Sequence, residues 1–178
     1  MKAILELDIP EKVQVAVEDK FVIVKGPLGE IKKELFNPNI RILVKDNKVI
    51  LESKEFTRKE KRLIGTFRAH IKNMIQGVIK KYSYILKICS SHFPMNVSVT
   101  NNMLVVKNFM GEKKPRVLKL KEGVDVRVEG DKIIVEGIDK ELCGQVAASI
   151  EQLTQRAGYD PRIFQDGIWI CSKADKEV

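Results

Sequence analysis

Cysteine is scarce: the 178-residue chain has three, Cys89, Cys143 and Cys171, and no Cys-x-x-Cys pair among them. An odd number without paired spacing excludes a disulfide framework and fits buried thiols in a reducing compartment. Long hydrophobic runs are missing too, since charge interrupts every apolar stretch, so nothing in the sequence is expected to span a membrane. The opening residues, Met1 to Asp8, place acids within their apolar run and carry no signal-peptide core. These absences lead us to expect a soluble intracellular protein.

Catalytic signatures are equally scarce. The chain contains no Gly-x-Ser-x-Gly, His-Glu-x-x-His or phosphate-binding Walker loop. Of the two histidines, His70 falls in a helical stretch, where a lone imidazole is a surface or packed side chain. His92 follows Cys89 by three residues, a pair that could ligate a metal but lacks the second pair a closed site needs. Gly26-Pro-Leu-Gly29 lacks the strand and helix context of a nucleotide-binding loop. No catalytic residue, cofactor or small-molecule substrate is expected.

What is present is a repeat. Val22-Ile-Val-Lys-Gly-Pro-Leu-Gly-Glu30 returns as Leu104-Val-Val-Lys-Asn-Phe-Met-Gly-Glu112, and Lys48-Val-Ile-Leu-Glu52 as Lys132-Ile-Ile-Val-Glu136. Gly65 and Ile71 are matched by Gly144 and Ile150 at the same spacing. Matched blocks in one order imply two tandem copies of one module, 1–81 and 82–178, each large enough to fold alone. The fold class is therefore α+β: each copy a mostly antiparallel sheet with one helix packed across it.

Periodicity places the elements. Val13, Val15 and Val17 alternate as in a half-buried strand, and Phe21 to Lys25 forms a second that Gly26-Pro-Leu-Gly29 breaks. A hairpin runs Ile40 to Val44, a turn at Asp46-Asn47, then Val49 to Glu52. The spacing of Leu63, Ile64, Phe67, Ile71, Met74, Ile75 and Val78 predicts a helix over 57–79, with Lys59, Lys61, Arg62, Arg68 and Lys72 largely off its stripe. Tyr82 to Cys89 reads as a strand joining the modules, and 90–94 as a bend. In the second copy, strands are expected at 97–100, 103–107, 117–120, 124–128 and 132–136, with turns at Asn101-Asn102 and Gly130-Asp131. Asp139 is the expected N-cap of a helix striped by Leu142, Cys143, Val146, Ile150 and Leu153, which Gly158 and Pro161 end. A short strand, 168–172, precedes a charged tail expected to be mobile.

Net charge is +8, which favours a polyanionic partner. Residues 1–81 hold 18 Lys and Arg against 11 acids, and residues 82–178 hold 14 against 13. The second half nonetheless concentrates its cations: Lys107, Lys113, Lys114, Arg116, Lys119 and Lys121 fall within 15 residues and face one acid, Glu112. Gly111 lets backbone approach a phosphate, and arginine can fork two phosphate oxygens. A solvated hairpin tip is the alternative reading of the same residues. Tyr159 and Arg162 are candidates to lie against a base or ribose, whereas Phe164 and Trp169 are expected in the core. The Arg58 to Arg62 run reads first as a solvated helix face and second as a contact.

With these motifs in view, the chain resembles the large-subunit ribosomal protein six family, in the eukaryotic and archaeal branch whose eukaryotic member is protein nine. The resemblance rests on Val24-Lys-Gly-Pro-Leu-Gly29, Gly65-Thr-Phe-Arg-Ala-His-Ile-Lys-Asn-Met-Ile-Gln-Gly-Val78, His92-Phe-Pro-Met-Asn-Val97, Asn108-Phe-Met-Gly-Glu-Lys113 and Arg162-Ile-Phe-Gln-Asp-Gly-Ile-Trp169. It covers about Met1 to Lys173. Around the last motif, Pro161 stands where the family commonly has isoleucine, and Trp169 where it has tyrosine. The resemblance implies a cytoplasmic ribosomal protein bound to large-subunit rRNA near the factor-binding region, beside the sarcin-ricin loop and stalk base. Its partners would be that rRNA and neighbouring large-subunit proteins, including those at the stalk base, and docking would run mainly through the second domain. On that reading the RNA-facing residues are Lys107, Gly111, Lys113, Lys114, Arg116, Lys119, Lys121, Tyr159 and Arg162. Two rivals remain: a non-resident RNA-binding assembly or regulatory factor, and a protein-interaction module whose sheet edges accept partner strands.

Overall fold

Among the described residues, alternating apolar positions build six strands ahead of each of two helices, and that order of elements repeats. The computed structural model describes residues 4–45, 47–55, 57–160, 162–174 and 176–177; the expected turn residue Asp46 and stop residue Pro161 lie outside these. The chain divides into two compact units, Met1–Lys81 and Tyr82–Val178.

The first unit contains β1 (Ile4–Asp8), β2 (Gln14–Glu18), β3 (Phe21–Gly26), β4 (Gly29–Glu34), β5 (Ile40–Lys45), β6 (Lys48–Ser53) and α1 (Arg58–Ile79). Its strands form two antiparallel sheets, β1-β6-β5 and β2-β3-β4. Thr57 caps α1, its hydroxyl accepting the Glu60 amide. Ile64, Phe67, Ile71, Met74, Ile75 and Val78 are buried along the helix, while Lys59, Lys61, Arg62, Arg68 and Lys72 are exposed. The stripe rests on Val22, Val24, Val49 and Leu51, all inaccessible to solvent. Gly26 has to be small, because a Cβ there would stand 2.6 Å from Val78 Cγ2. The turn after it is fixed to the helix end, where the Leu28 amide donates to the Val78 carbonyl at 3.1 Å.

The second unit contains β7 (Tyr82–Cys89), β8 (Asn96–Thr100), β9 (Met103–Lys107), β10 (Arg116–Lys119), β11 (Val124–Glu129), β12 (Lys132–Gly137), α2 (Lys140–Leu153), β13 (Gly167–Lys173) and β14 (Lys176–Glu177). Its sheets run β8-β9-β10 and β11-β12-β7-β13-β14. The segment β7-β12-β11 reproduces β1-β6-β5, so the duplication seen in sequence is also one of strand order. The expected joining strand is instead the middle strand of the second module's own sheet. Tyr82, Tyr84 and Leu86 alternate inward on it, and both its edges are paired. The tail expected to be mobile is paired as well, Lys176 lying opposite Lys173.

Helix α2 starts at the expected cap, with Asp139 Oδ1 accepting the amides of Glu141 and Leu142 at 2.9 and 3.4 Å. It ends at Leu153, before the expected stop at Gly158. Thr154 is buried and its hydroxyl accepts the Ile168 amide at 2.9 Å, which turns the chain toward β13. One turn earlier, Glu151 Oε1 accepts the Ile170 amide at 3.0 Å beside the bulge in the β13–β7 pairing.

Candidate nucleic-acid interface

The same turn has two forms in the two modules. In the first, Gly26-Pro-Leu-Gly29 closes a tight hairpin directly into β4. In the second, Asn108, Met110 and Gly111 adopt positive φ (58°, 48° and 78°), and Phe109 drops into the core at 2% exposure. The chain leaves the sheet there and rejoins it at Arg116, producing a loop the first module lacks. Gly111 also lies against the Phe93 ring, where a Cβ would sit at an ordinary contact distance of 3.5 Å, so it is the left-handed backbone that accounts for the glycine.

Arg116 closes this loop. Its Nε and Nη2 donate to Glu112 Oε2 and Oε1 at 2.8 and 2.6 Å, and its Nη1 donates to the Leu153 carbonyl at 2.7 Å. Nη1 also reaches the Gln155 carbonyl at 3.3 Å, and the guanidinium lies 4.4 Å over the Phe109 ring. The Arg116 hydrogen bond holds the Glu112 carboxyl below its ordinary pKa, outweighing the burial that pushes it up. The guanidinium thus donates to a carboxylate and two carbonyls inside the protein and packs one face on a ring, which leaves its side chain 23% exposed. The expected phosphate fork is therefore a staple: it satisfies carbonyls at the end of α2 and fixes both ends of the three-residue tip 113–115.

Lys113 and Lys114 project from that tip, exposed and with no ion-pair partner among the described residues. The remaining expected cations separate. Because Arg116 pairs with Val106 and Lys119 with Met103, Lys107 lies at the loop end of β9–β10, and Lys119 and Lys121 lie toward the opposite end. Lys121 Nζ donates to Gln145 Oε1 at 2.7 Å. The linear cluster is thus two clusters about 10 Å apart, given the rise per residue of a strand.

The segment after α2 comes to the loop end, since Arg116 binds the carbonyls of Leu153 and Gln155. Arg156 lies 4.4 Å over the Tyr159 ring, and Tyr159 meets Phe164 edge-on at 4.9 Å. Arg162 extends into solvent, with Nε 3.2 Å from Asp160 Oδ1. Phe164 and Trp169, expected in the core, are only half-buried. Arg156 escaped the sequence reading; its one signal was an arginine three residues before an exposed tyrosine.

Asp166 was missed as well. Its buried carboxylate accepts the Ser91 and His92 amides at 2.6 and 3.0 Å, the Ser91 hydroxyl at 3.2 Å and His92 Nδ1 at 2.5 Å. Burial pushes this carboxyl up, but the hydrogen bonds from His92 and Ser91 prevail and bring it down to about 2. His92 is thereby committed to Asp166. Among the described residues, no group of three or more His, Cys, Asp and Glu is placed to hold a metal ion. Nor, among them, is any helix long and apolar enough to cross a membrane.

These features define a class: a tandem α+β protein that presents a cationic loop, stapled to a packed scaffold, from its second module. Comparison with known proteins supplies the particular family. The chain belongs to the family described as Ribosomal protein L6, whose sequence profile matches residues 9–81 and 93–167. It is 46% identical over 181 residues to the large ribosomal subunit protein uL6 of Nanoarchaeum equitans (strain Kin4-M), covering 97% of this chain and 94% of that protein. The protein of the same name from Methanococcus vannielii is 46% identical over 171 residues, covering 96% and 94%. That of Methanobrevibacter smithii is 45% identical over 168 residues, covering 94% of each. The family is structural and not enzymatic.

Proposed function

We propose that the chain is a structural constituent of the large ribosomal subunit in the cytoplasm, held by large-subunit rRNA near the factor-binding region. The sarcin-ricin loop and the stalk base would be its surroundings, and stalk-base proteins its neighbours. The family match supports residence in the subunit, and the stapled tip carrying Lys113 and Lys114 supports the mode of attachment. The staple fixes the backbone that carries the two lysines, so the tip itself need not be ordered on meeting a phosphate backbone, and each phosphate neutralised releases counterions. Lys107 and Arg156 extend this surface at the loop end. Lys119, Lys121 and Arg162 form a second tier of contacts, and Arg116 acts by holding the tip in place.

The test is the affinity of the full chain for deproteinised large-subunit rRNA, measured across a salt series. Converting Lys113 and Lys114 to Glu should weaken binding at every salt concentration and flatten the plot of log affinity against log salt by about 2. Unchanged affinity and slope would remove the tip from the interface. Sedimentation of the native protein with translating ribosomes, surviving a high-salt wash, is the expected companion result. Confinement to precursor particles would instead make it an assembly factor.

A further inference from the structure

Phe109, Met110, Arg156, Tyr159, Phe164 and Trp169 line a groove of about 440 Å3 in the second module. Tyr159, Phe164 and Trp169 give it aromatic walls beside polar ones from Thr154, Gln155 and Asp166, and cations are at hand: Arg156 is one of the lining residues, and Lys113 and Lys114 follow Met110 by three and four positions. Tyr159 is 40% exposed beneath the Arg156 guanidinium. The Trp169 Nε1 already donates to the Gln165 carbonyl at 3.0 Å, so the indole offers the groove an apolar ring and no free donor. The Asp166 carboxylate also lines the groove, ionised and turned to Ser91 and His92, which disfavours a phosphate inside it. The occupant these properties select is flat, neutral and aromatic, and attached to a polyanion.

We propose that this groove receives one unpaired nucleobase of the bound RNA, with the flanking phosphates held outside by Arg156, Lys113 and Lys114. The inference rests on the rRNA-binding reading above and adds a stacking contact to it. Aromatic rings paired with arginine planes are the usual platform for a splayed-out base, and helical RNA offers no such base except at loops, bulges and ends. The contact accordingly selects an irregular site on the RNA, which phosphate neutralisation alone cannot do.

Trp169 is the single tryptophan of the chain, so its emission reports on the groove directly. The full chain, bound to deproteinised large-subunit rRNA, should show quenched Trp169 emission. It should also protect an unpaired base from dimethyl sulfate within the stretch whose backbone it protects from hydroxyl radicals. Tyr159→Ala should keep the backbone footprint, lose the base protection and weaken binding about 5- to 100-fold. Tyr159→Phe, which keeps the ring, should retain both. A backbone footprint accompanied by base reactivity and emission unchanged from the free components would overturn the inference while leaving the RNA reading intact. Absence of any backbone footprint would overturn both.

Discussion

Replacing Arg116 with Ala separates the staple from the surface it presents. The substitution removes two charged hydrogen bonds to Glu112, at 2.8 and 2.6 Å, and one to the Leu153 carbonyl at 2.7 Å. It also removes the stacking on Phe109 at 4.4 Å. Both partners of the ion pair are mostly shielded, with side-chain exposures of 23% and 30%, so solvent screening is incomplete. A hydrogen bond to a charged group contributes about 1.5–3 kcal/mol, and these bonds share one side chain and do not add. We expect a loss of about 2–3 kcal/mol from the second module, equivalent to a Tm lower by about 10–20 °C for a domain of about a hundred residues. The assay is urea unfolding followed by Trp169 emission, since that residue lies in the affected module. Arg116→Lys should recover little, because an ammonium cannot fork. Lys113→Glu with Lys114→Glu, two exposed tip residues, should stay within about 0.5 kcal/mol of wild type. The deficit should also shrink in acid. Glu112 is held below its ordinary value, so its contribution is complete above that value and fades as pH falls through the lowered one. An Arg116→Ala midpoint equal to wild type, or a double tip variant equally destabilised, would refute the assignment of Arg116 as a staple.

Asp166 and the glycines give further tests. Because the Asp166 carboxyl lies near 2, down from 3.8, Asp166→Asn should cost about 2 kcal/mol at neutral pH. The gap to wild type should close as pH falls from about 4 to about 2, and a pH-independent gap in urea titrations would refute the hydrogen-bond account of this carboxylate. Gly26→Ala should destabilise the first module by about 1–3 kcal/mol through its clash with Val78. Gly65→Ala, whose new methyl meets nothing within 4 Å, should stabilise α1 by about 0.5–1 kcal/mol. Thermal melts of the two glycine variants should therefore shift in opposite directions.

Much of this architecture was legible because local periodicity and burial agree. The turn at Asn101-Asn102 was readable since both residues tolerate the positive φ they adopt, 50° and 59°. The α1 stripe was readable because its buried residues recur at helical spacing. Strand β4 was not: between Ile31 and Leu35 stand Lys32, Lys33 and Glu34, so an edge strand with few inward residues reads as a loop. Strand β1 was hidden similarly, with Glu6 and Asp8 on its outer face. The end of α2 was misplaced because its stop is tertiary, a threonine hydroxyl binding an amide 14 residues on. At the candidate site, the cations could be counted but not sorted. Glu112 and Arg116 stand four apart in sequence, yet what fixes Arg116 is a carbonyl 37 residues away. Tertiary hydrogen bonds of that kind decide which arginine is scaffold and which is surface.

The pairing of β7 with β13 has a consequence for how the protein is made. Cys89 lies opposite Gly167 in that ladder, and the loop that carries Lys113 and Lys114 is pinned to carbonyls at 153 and 155. As the chain emerges from its own synthesis in order, the first module has all its strands and its helix long before the second can close. The second must wait for residues near 170 before its middle strand gains its other neighbour. The tip in turn lacks the carbonyls that pin it until residues 153 and 155 have been made. Translation thus sets a schedule in which the first module can close early and the second completes its shape only as the last strands arrive.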